Sequence, residues 1–155
     1  MDKIKVLFLC TGNSARSQMA EAFLRKYSGD QFEAYSAGLE PKEIHPYTRL
    51  VMKEAGISLT GQRSKHLSEY MGKVHFSYVI TVCAQADERC PAVFPGMGRR
   101  LHWAFDDPSA FAGTHAQIVD KFRQVRDEIG GRIQTWLQEQ GVTPSQGGGD
   151  AAPQV

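Results

Sequence analysis

The run Ile4 to Cys10 is built from β-branched and apolar residues, interrupted only by Lys5, and it ends directly in a loop that carries Gly12. A strand buried on both faces of a parallel sheet reads this way, because both of its sides meet other layers of the fold. From Ser17 the period changes: Met19, Phe23 and Tyr27 share one face with Ala20 and Leu24, the stripe of an amphipathic helix, and Gly29 follows as a terminator. A strand that passes through a tight loop into a helix constrains the chain to an α/β fold.

The alternation continues. Phe32 to Ala37 predicts a second strand, and His45 to Ala55 a second helix, with Pro46 in its first turn and Gly56 at its end. Ser64 to Lys73 reads as a short, weak helix, Tyr78 to Cys83 as a third apolar strand and Leu101 to Phe105 as a fourth. Thr114 to Gln140 is a long helical pattern with Ile118, Phe122, Val125, Ile129, Ile133 and Trp136 on its inward stripe. Gly130 and Gly131 interrupt it, each costing about 1 kcal/mol relative to alanine in a helix, so a bend or two shorter helices is expected there. From Thr143 onward TPSQGGGDAAPQV has no apolar periodicity. The expectation is one catalytic domain over residues 1–140 and a disordered tail over 141–155. Its fold class is α/β, a three-layer sandwich around a central four-stranded parallel sheet, with any ligand at the carboxyl ends of the strands.

At 155 residues there is room for one core. Eighteen Lys+Arg against seventeen Asp+Glu leave a formal net charge of +1, so no global field draws nucleic acid or anionic membrane, and any bound anion must be caught by a local site. No stretch approaches the roughly 18 apolar residues of a membrane span. Val6 to Leu9 is too short for a signal-peptide core, and no small-residue cleavage site follows, so a cytoplasmic protein is expected. Three cysteines are an odd count in a chain that can build a core without disulfides. The thiols are therefore buried filler or chemistry.

The first loop reads Cys10-Thr11-Gly12-Asn13-Ser14-Ala15-Arg16-Ser17. Successive backbone N–H groups, a helix N-terminus and the fork of Arg16 suit a tetrahedral oxyanion, and the same field favours Cys10 as a thiolate nucleophile. Cys83 and Cys90 form the second feature. Seven residues of helix would hold their Cα atoms about 10 Å apart, beyond the roughly 7 Å limit of a disulfide, so they can bond only through a looped or unwound segment. Their spacing leaves a structural pair and a thiol relay both open, and it disfavours zinc. Asp106-Asp107-Pro108 places a carboxylate near the same rim, although Asp-Pro alone marks ordinary turns. His45, His66, His75, His102 and His115 lack ligand spacing, so no metal or cofactor is expected.

The segment VLFLCTGNSARSQMAEA, together with YSAG at 35–38, VCAQADERCP at 82–91 and HWAFDDP at 102–108, resembles the low-molecular-weight protein tyrosine phosphatase superfamily. Within it the resemblance is to the arsenate reductases coupled to thioredoxin, and it runs to about residue 137. It implies that residues Thr11 to Ser17 bind arsenate, that Cys10 attacks arsenic, and that Asp107 protonates the departing hydroxyl. It further implies that Cys83 then attacks Cys10 to release arsenite, and that Cys90 closes a Cys83–Cys90 disulfide reset by thioredoxin or a similar dithiol. One rival is a tyrosine phosphatase that hydrolyses a phosphocysteine. Against it stand Ala15, where such phosphatases carry a second cysteine, and Ser109, where they carry an aromatic. The other rival is a non-catalytic oxyanion or redox sensor.

In several of these reductases a potassium ion sits behind the loop, held by residues matching Asn13, Glu21 and Ser36 and by an aspartate whose place Lys65 takes here. The expectation is that the Lys65 ammonium replaces the ion, pairs with Glu21 and orients Asn13. The alternative is a solvated surface lysine.

Overall fold

The computed structural model of the chain describes residues 2–90 and 96–144. Strand β1 (Ile4–Cys10) lies between β2 (Phe32–Gly38) and β3 (Phe76–Thr81), and β4 (Met97–His102) pairs with β3, giving the order β2-β1-β3-β4 with every pairing parallel. Val6, Leu7, Phe8 and Leu9 are all fully buried. Successive residues of a strand face opposite sides, so both faces of the sheet are covered and the sandwich has three layers.

Helices α1 (Arg16–Ser28), α2 (Pro46–Glu54), α3 (Ala84–Arg89) and α4 (His115–Glu139) follow the four strands in turn. Helix α4 packs against both α1 and α2, and its Phe122, Val125, Ile129 and Ile133 are fully buried. At its end Trp136 meets Phe32 and Trp103, with ring centroids 5.5 and 5.9 Å away. No helix among the described residues is long and apolar enough to cross a membrane. Strand order reverses between β1 and β3, which opens a crevice at their carboxyl ends, where Cys10 closes β1 and Cys83 follows β3.

Several local expectations are corrected. The weak helix over 64–73 is only a 3-10 turn at Leu67–Glu69, because Leu67 alone of those three is buried and Gly72 turns left-handed at φ +76°. The third strand stops at Thr81, so Cys83 caps α3 instead of ending a strand, and α3 itself is an element whose polar sequence shows no stripe. The fourth strand starts at Met97, four residues early. Its registry with Phe76 comes from the sheet, and Gly98 passes where a Cβ would lie 2.5 Å from the Phe76 carbonyl oxygen.

Helix α4 runs unbroken through both glycines, opened by a capping box between Thr114 and Gln117. Gly130 is a packing residue: a Cβ there would stand 3.0 Å from the Phe23 ring of α1, whereas one on Gly131 meets nothing within 4 Å. Pro91 and residues 145–155 of the expected tail lie outside the described residues.

The two glycines should therefore answer alanine differently. Gly131→Ala is expected to stabilise the protein by about 1 kcal/mol in urea unfolding through helix propensity. In Gly130→Ala the clash with Phe23 cancels that gain, leaving it at least about 1 kcal/mol below Gly131→Ala. Equal stability of the two would show that α1 and α4 do not depend on this close approach.

Candidate active site

The loop from Cys10 to Ser17 leaves β1 and enters α1, and it is held from outside by its carbonyls. Leu39 and Glu40 donate N–H groups to Thr11 O at 3.0 and 2.8 Å. Lys42 N–H and Ser64 Oγ donate to Gly12 O at 2.9 and 3.2 Å. Gln18 Nε2 donates to Asn13 O at 3.0 Å, and His45 N–H and Thr48 Oγ1 both reach Ser14 O at 3.0 Å. In a trans peptide the N–H opposes the C=O, so carbonyls turned outward aim the loop's N–H groups inward, as an oxyanion cradle requires. Asn13 takes a left-handed φ of +50° to make the turn. Gly38 lies so close beneath that a Cβ would be 2.7 Å from Thr11 O.

Arg16, the first residue of α1, is 9% exposed. Its Nη1 donates to Phe105 O at 3.1 Å, and its Nη2 stands 3.5 Å from Asp107 Oδ2. Its buried Nε has no hydrogen-bond partner. A buried guanidinium N–H left unsatisfied is costly, and an oxyanion in the cradle would satisfy it. The two aspartates divide cleanly. Asp106 pairs with Lys121 of α4 at 2.8 Å, while Asp107 caps the 3-10 turn Pro108–Ala110 and faces Arg16. Asp107 is therefore the carboxylate at the loop.

Two of the three buried cysteines are brought together. Cys10 ends β1 and Cys83 follows the adjacent β3, where each thiol shifts the ionisation of the other. Cys83 Sγ also accepts from Ala86 N–H at 3.4 Å and lies 3.4 Å from the Thr11 hydroxyl. Cys83, and then burial, push the Cys10 thiol well above its ordinary pKa, against the pull of Arg16 and the Ser17 hydroxyl. Cys10 in turn pulls Cys83 down to about 5, aided by Thr11, Ala86 and Arg16 and opposed by burial. The ionisations of the two thiols are therefore coupled, and the expectation of a thiolate at Cys10 is corrected, because Cys83 and burial outweigh the pull of Arg16 and Ser17 on it. Cys90 is buried at the opposite end of α3, its N–H on Ala86 O at 2.8 Å.

Behind the loop Lys65 is only 8% exposed. Its Nζ donates to Ser36 O at 2.9 Å and Arg63 O at 2.7 Å, and its backbone N–H to Asn13 Oδ1 at 3.0 Å. The expected ion pair with Glu21 is not formed. Glu21 is taken by the Ser36 hydroxyl at 2.6 Å and by Arg25, and Asn13 is oriented by the Lys65 backbone, not by its ammonium. Gln18, fully buried, also bonds Arg63 O at 3.0 Å and accepts from Gln62. Nothing in its local sequence marked it, since a glutamine on a helix face usually meets water. Among the described residues no group of three or more His, Cys, Asp or Glu side chains is arranged to hold a metal ion.

A cysteine and an arginine around an inward-facing cradle, with an aspartate across its mouth, invite comparison with known proteins. A sequence profile of low molecular weight phosphotyrosine protein phosphatases matches residues 5–143. The chain belongs to this family. Among the relatives of this family member, the arsenate reductase of Halalkalibacterium halodurans is 45% identical over 139 residues, which is 89% of this chain and 98% of that one. A solved arsenate reductase in its phosphate-binding state superposes with a TM-score of 0.70 at 28% identity, covering 88% of this chain and 98% of that one. The thioredoxin-dependent arsenate reductase of Corynebacterium glutamicum gives 0.66 at 29% identity, covering 88% and 61%. In this phosphatase-family chain the second loop cysteine is absent, and Ala15 fills its place, buried.

Because Cys83 raises the Cys10 pKa, Cys83→Ser should let Cys10 ionise at lower pH. The pH dependence of alkylation by iodoacetamide is expected to shift downward in that variant. An unchanged or raised profile would show that Cys83 does not hold the Cys10 pKa up.

Proposed function

We propose that this chain reduces arsenate to arsenite, with electrons from a thiol relay that an external dithiol such as thioredoxin recharges. The observation that carries this reading is a second buried thiol at the loop, Cys83, which follows β3 beside β1 and lies 3.4 Å from the Thr11 hydroxyl next to Cys10. Ester hydrolysis needs one thiol in the cradle, whereas a second sulfur in contact with the first is what reduction requires. The arsenate reductases among its relatives support the same reading.

The N–H groups of the loop and the fork of Arg16, including its unpartnered Nε, bind the arsenate oxygens. Cys10 attacks arsenic, its proton passes to the Cys83 sulfur, and Asp107 protonates the departing hydroxyl to water. Cys83 then attacks Cys10. Arsenic leaves with the S–As bonding pair as arsenite, the proton on Cys83 ends on an arsenite oxygen, and a Cys10–Cys83 disulfide remains. Cys90 attacks Cys83, which frees Cys10.

That last exchange has a structural condition. Cys83 and Cys90 cap opposite ends of α3, so this six-residue helix must unwind before they can bond. A helix this short has little stability of its own, and it opens without disturbing the sheet. The relay leaves a Cys83–Cys90 disulfide for the dithiol partner, a cycle suited to a reducing cytoplasm.

Cys10→Ser is expected to abolish arsenate reduction and aryl phosphate hydrolysis together. Cys83→Ser and Cys90→Ser should stop multiple turnover of arsenate with thioredoxin while sparing aryl phosphate hydrolysis. Either serine variant cycling at the wild-type rate would overturn the relay. Asp107→Asn should slow turnover by about 10² to 10⁴ with little change in arsenate binding, and an unchanged rate would remove Asp107 from the acid role.

A further inference from the structure

The cage behind the loop does not suit a resident potassium ion. The two carbonyls that face it, Ser36 O and Arg63 O, already receive the Lys65 ammonium at 2.9 and 2.7 Å. The remaining carboxylate, Glu21, is engaged by Ser36 and Arg25. A free cation would have to displace a tethered one of similar reach that no dilution can remove. Lysine buried to this degree is uncommon without partners, and here burial draws its pKa down while the nearby Glu21 charge draws it back up.

The cage is connected to the loop around the nucleophile by hydrogen bonds whose direction is fixed. The Lys65 backbone N–H donates to Asn13 Oδ1, which turns the Asn13 amide nitrogen onto Ser17 Oγ at 2.8 Å. The Ser17 oxygen is then an acceptor from Asn13, which leaves its own proton for another acceptor, and the Ser17 hydroxyl pulls the Cys10 pKa down. On the other side, Arg63 O and Asn13 O are joined by the two bonds of Gln18 Nε2, each 3.0 Å, so the carbonyl held by the ammonium and the loop carbonyl share one donor. Gly38, beneath the loop, donates its N–H to Lys65 O at 2.8 Å. Main chain and side chain of Lys65 together tie the end of β2, residue 63 and the loop.

We infer that Lys65 is a positioning residue whose ammonium is a built-in cation, holding Ser36 and Arg63 so that the Asn13–Ser17 chain keeps Cys10 nucleophilic without any dissolved monovalent ion. The inference rests on Cys10 being the nucleophile and not on arsenate being the substrate, so the readouts are aryl phosphate hydrolysis and Cys10 alkylation. If these succeed while arsenate turnover fails, the proposed function falls and Lys65 keeps its role.

The wild-type protein is expected to hydrolyse an aryl phosphate equally in sodium and in potassium at matched ionic strength. Specific activation by potassium would overturn the inference. Lys65→Met keeps the stem and removes the charge. Its kcat should fall about tenfold with KM little changed, and the pH profile of Cys10 alkylation, read in a Cys83→Ser background, should move up by about one unit. Added potassium or ammonium should restore part of the loss in Lys65→Met and do nothing for the wild type. A variant that only melts earlier, with kcat per folded molecule and the alkylation profile unchanged, would reduce Lys65 to packing and overturn the role. If Lys65→Met does not fold, the comparison of sodium with potassium on the wild type still decides.

Discussion

The carbonyls of Thr11, Gly12, Asn13 and Ser14 are each held by a donor outside the turn, and the function of the molecule follows from that restraint. A loop of this shape is strained, with a non-glycine residue at φ +50°, and it would relax if its carbonyls were left to water. The donors come from the segment after β2, from residue 64 and from Gln18 and Thr48, so α1, α2 and the 62–65 stretch all contribute to one cradle. Preorganised N–H groups stabilise an oxyanion with no reorganisation at the moment of reaction, and that is where such a site derives its catalytic power.

A second thiol beside the first changes what the cradle can do. With one buried sulfur, Arg16 and Ser17 would set the nucleophile alone. With Cys83 beside it, charge on one sulfur is coupled to the state of the other. The same placement lets the proposed chemistry pass from bond-making at Cys10 to electron transfer through Cys83 with no large movement. In the proposed relay the movement falls to α3, a short polar helix capped at its two ends by Cys83 and Cys90.

Charge behind the loop is managed by side chains of the chain itself. Glu21 is paired with Arg25 and bonded by the Ser36 hydroxyl, the Lys65 ammonium rests on two carbonyls, and the polar residues Gln18, Ser36 and Asn13 are fully buried because each is hydrogen-bonded. Breaking one member of such a network leaves the others unsatisfied, which is why a lysine placed here acts on geometry as well as on charge.

What was legible in the sequence was local. The buried strand β1, the start of α1, the inward stripe of α4 and the pairing of Cys10 with Arg16 across one loop are all set by neighbours a few residues away, where periodicity and spacing act. The tertiary structure decided everything that depends on registry between distant segments. The β4 strand begins at Met97 because β3 pairs with it there, and Gly130 is a packing position because α1 brings Phe23 to where a Cβ would stand. Asp107 and not Asp106 faces Arg16 because Lys121 of α4 draws its neighbour away. Cys83 meets Cys10 because β3 lies beside β1, and the Lys65 ammonium finds two carbonyls instead of Glu21 because Arg25 and Ser36 already occupy that carboxylate. Side-chain chemistry is written residue by residue, but partners are assigned only when the sheet closes and each donor takes the nearest acceptor still open.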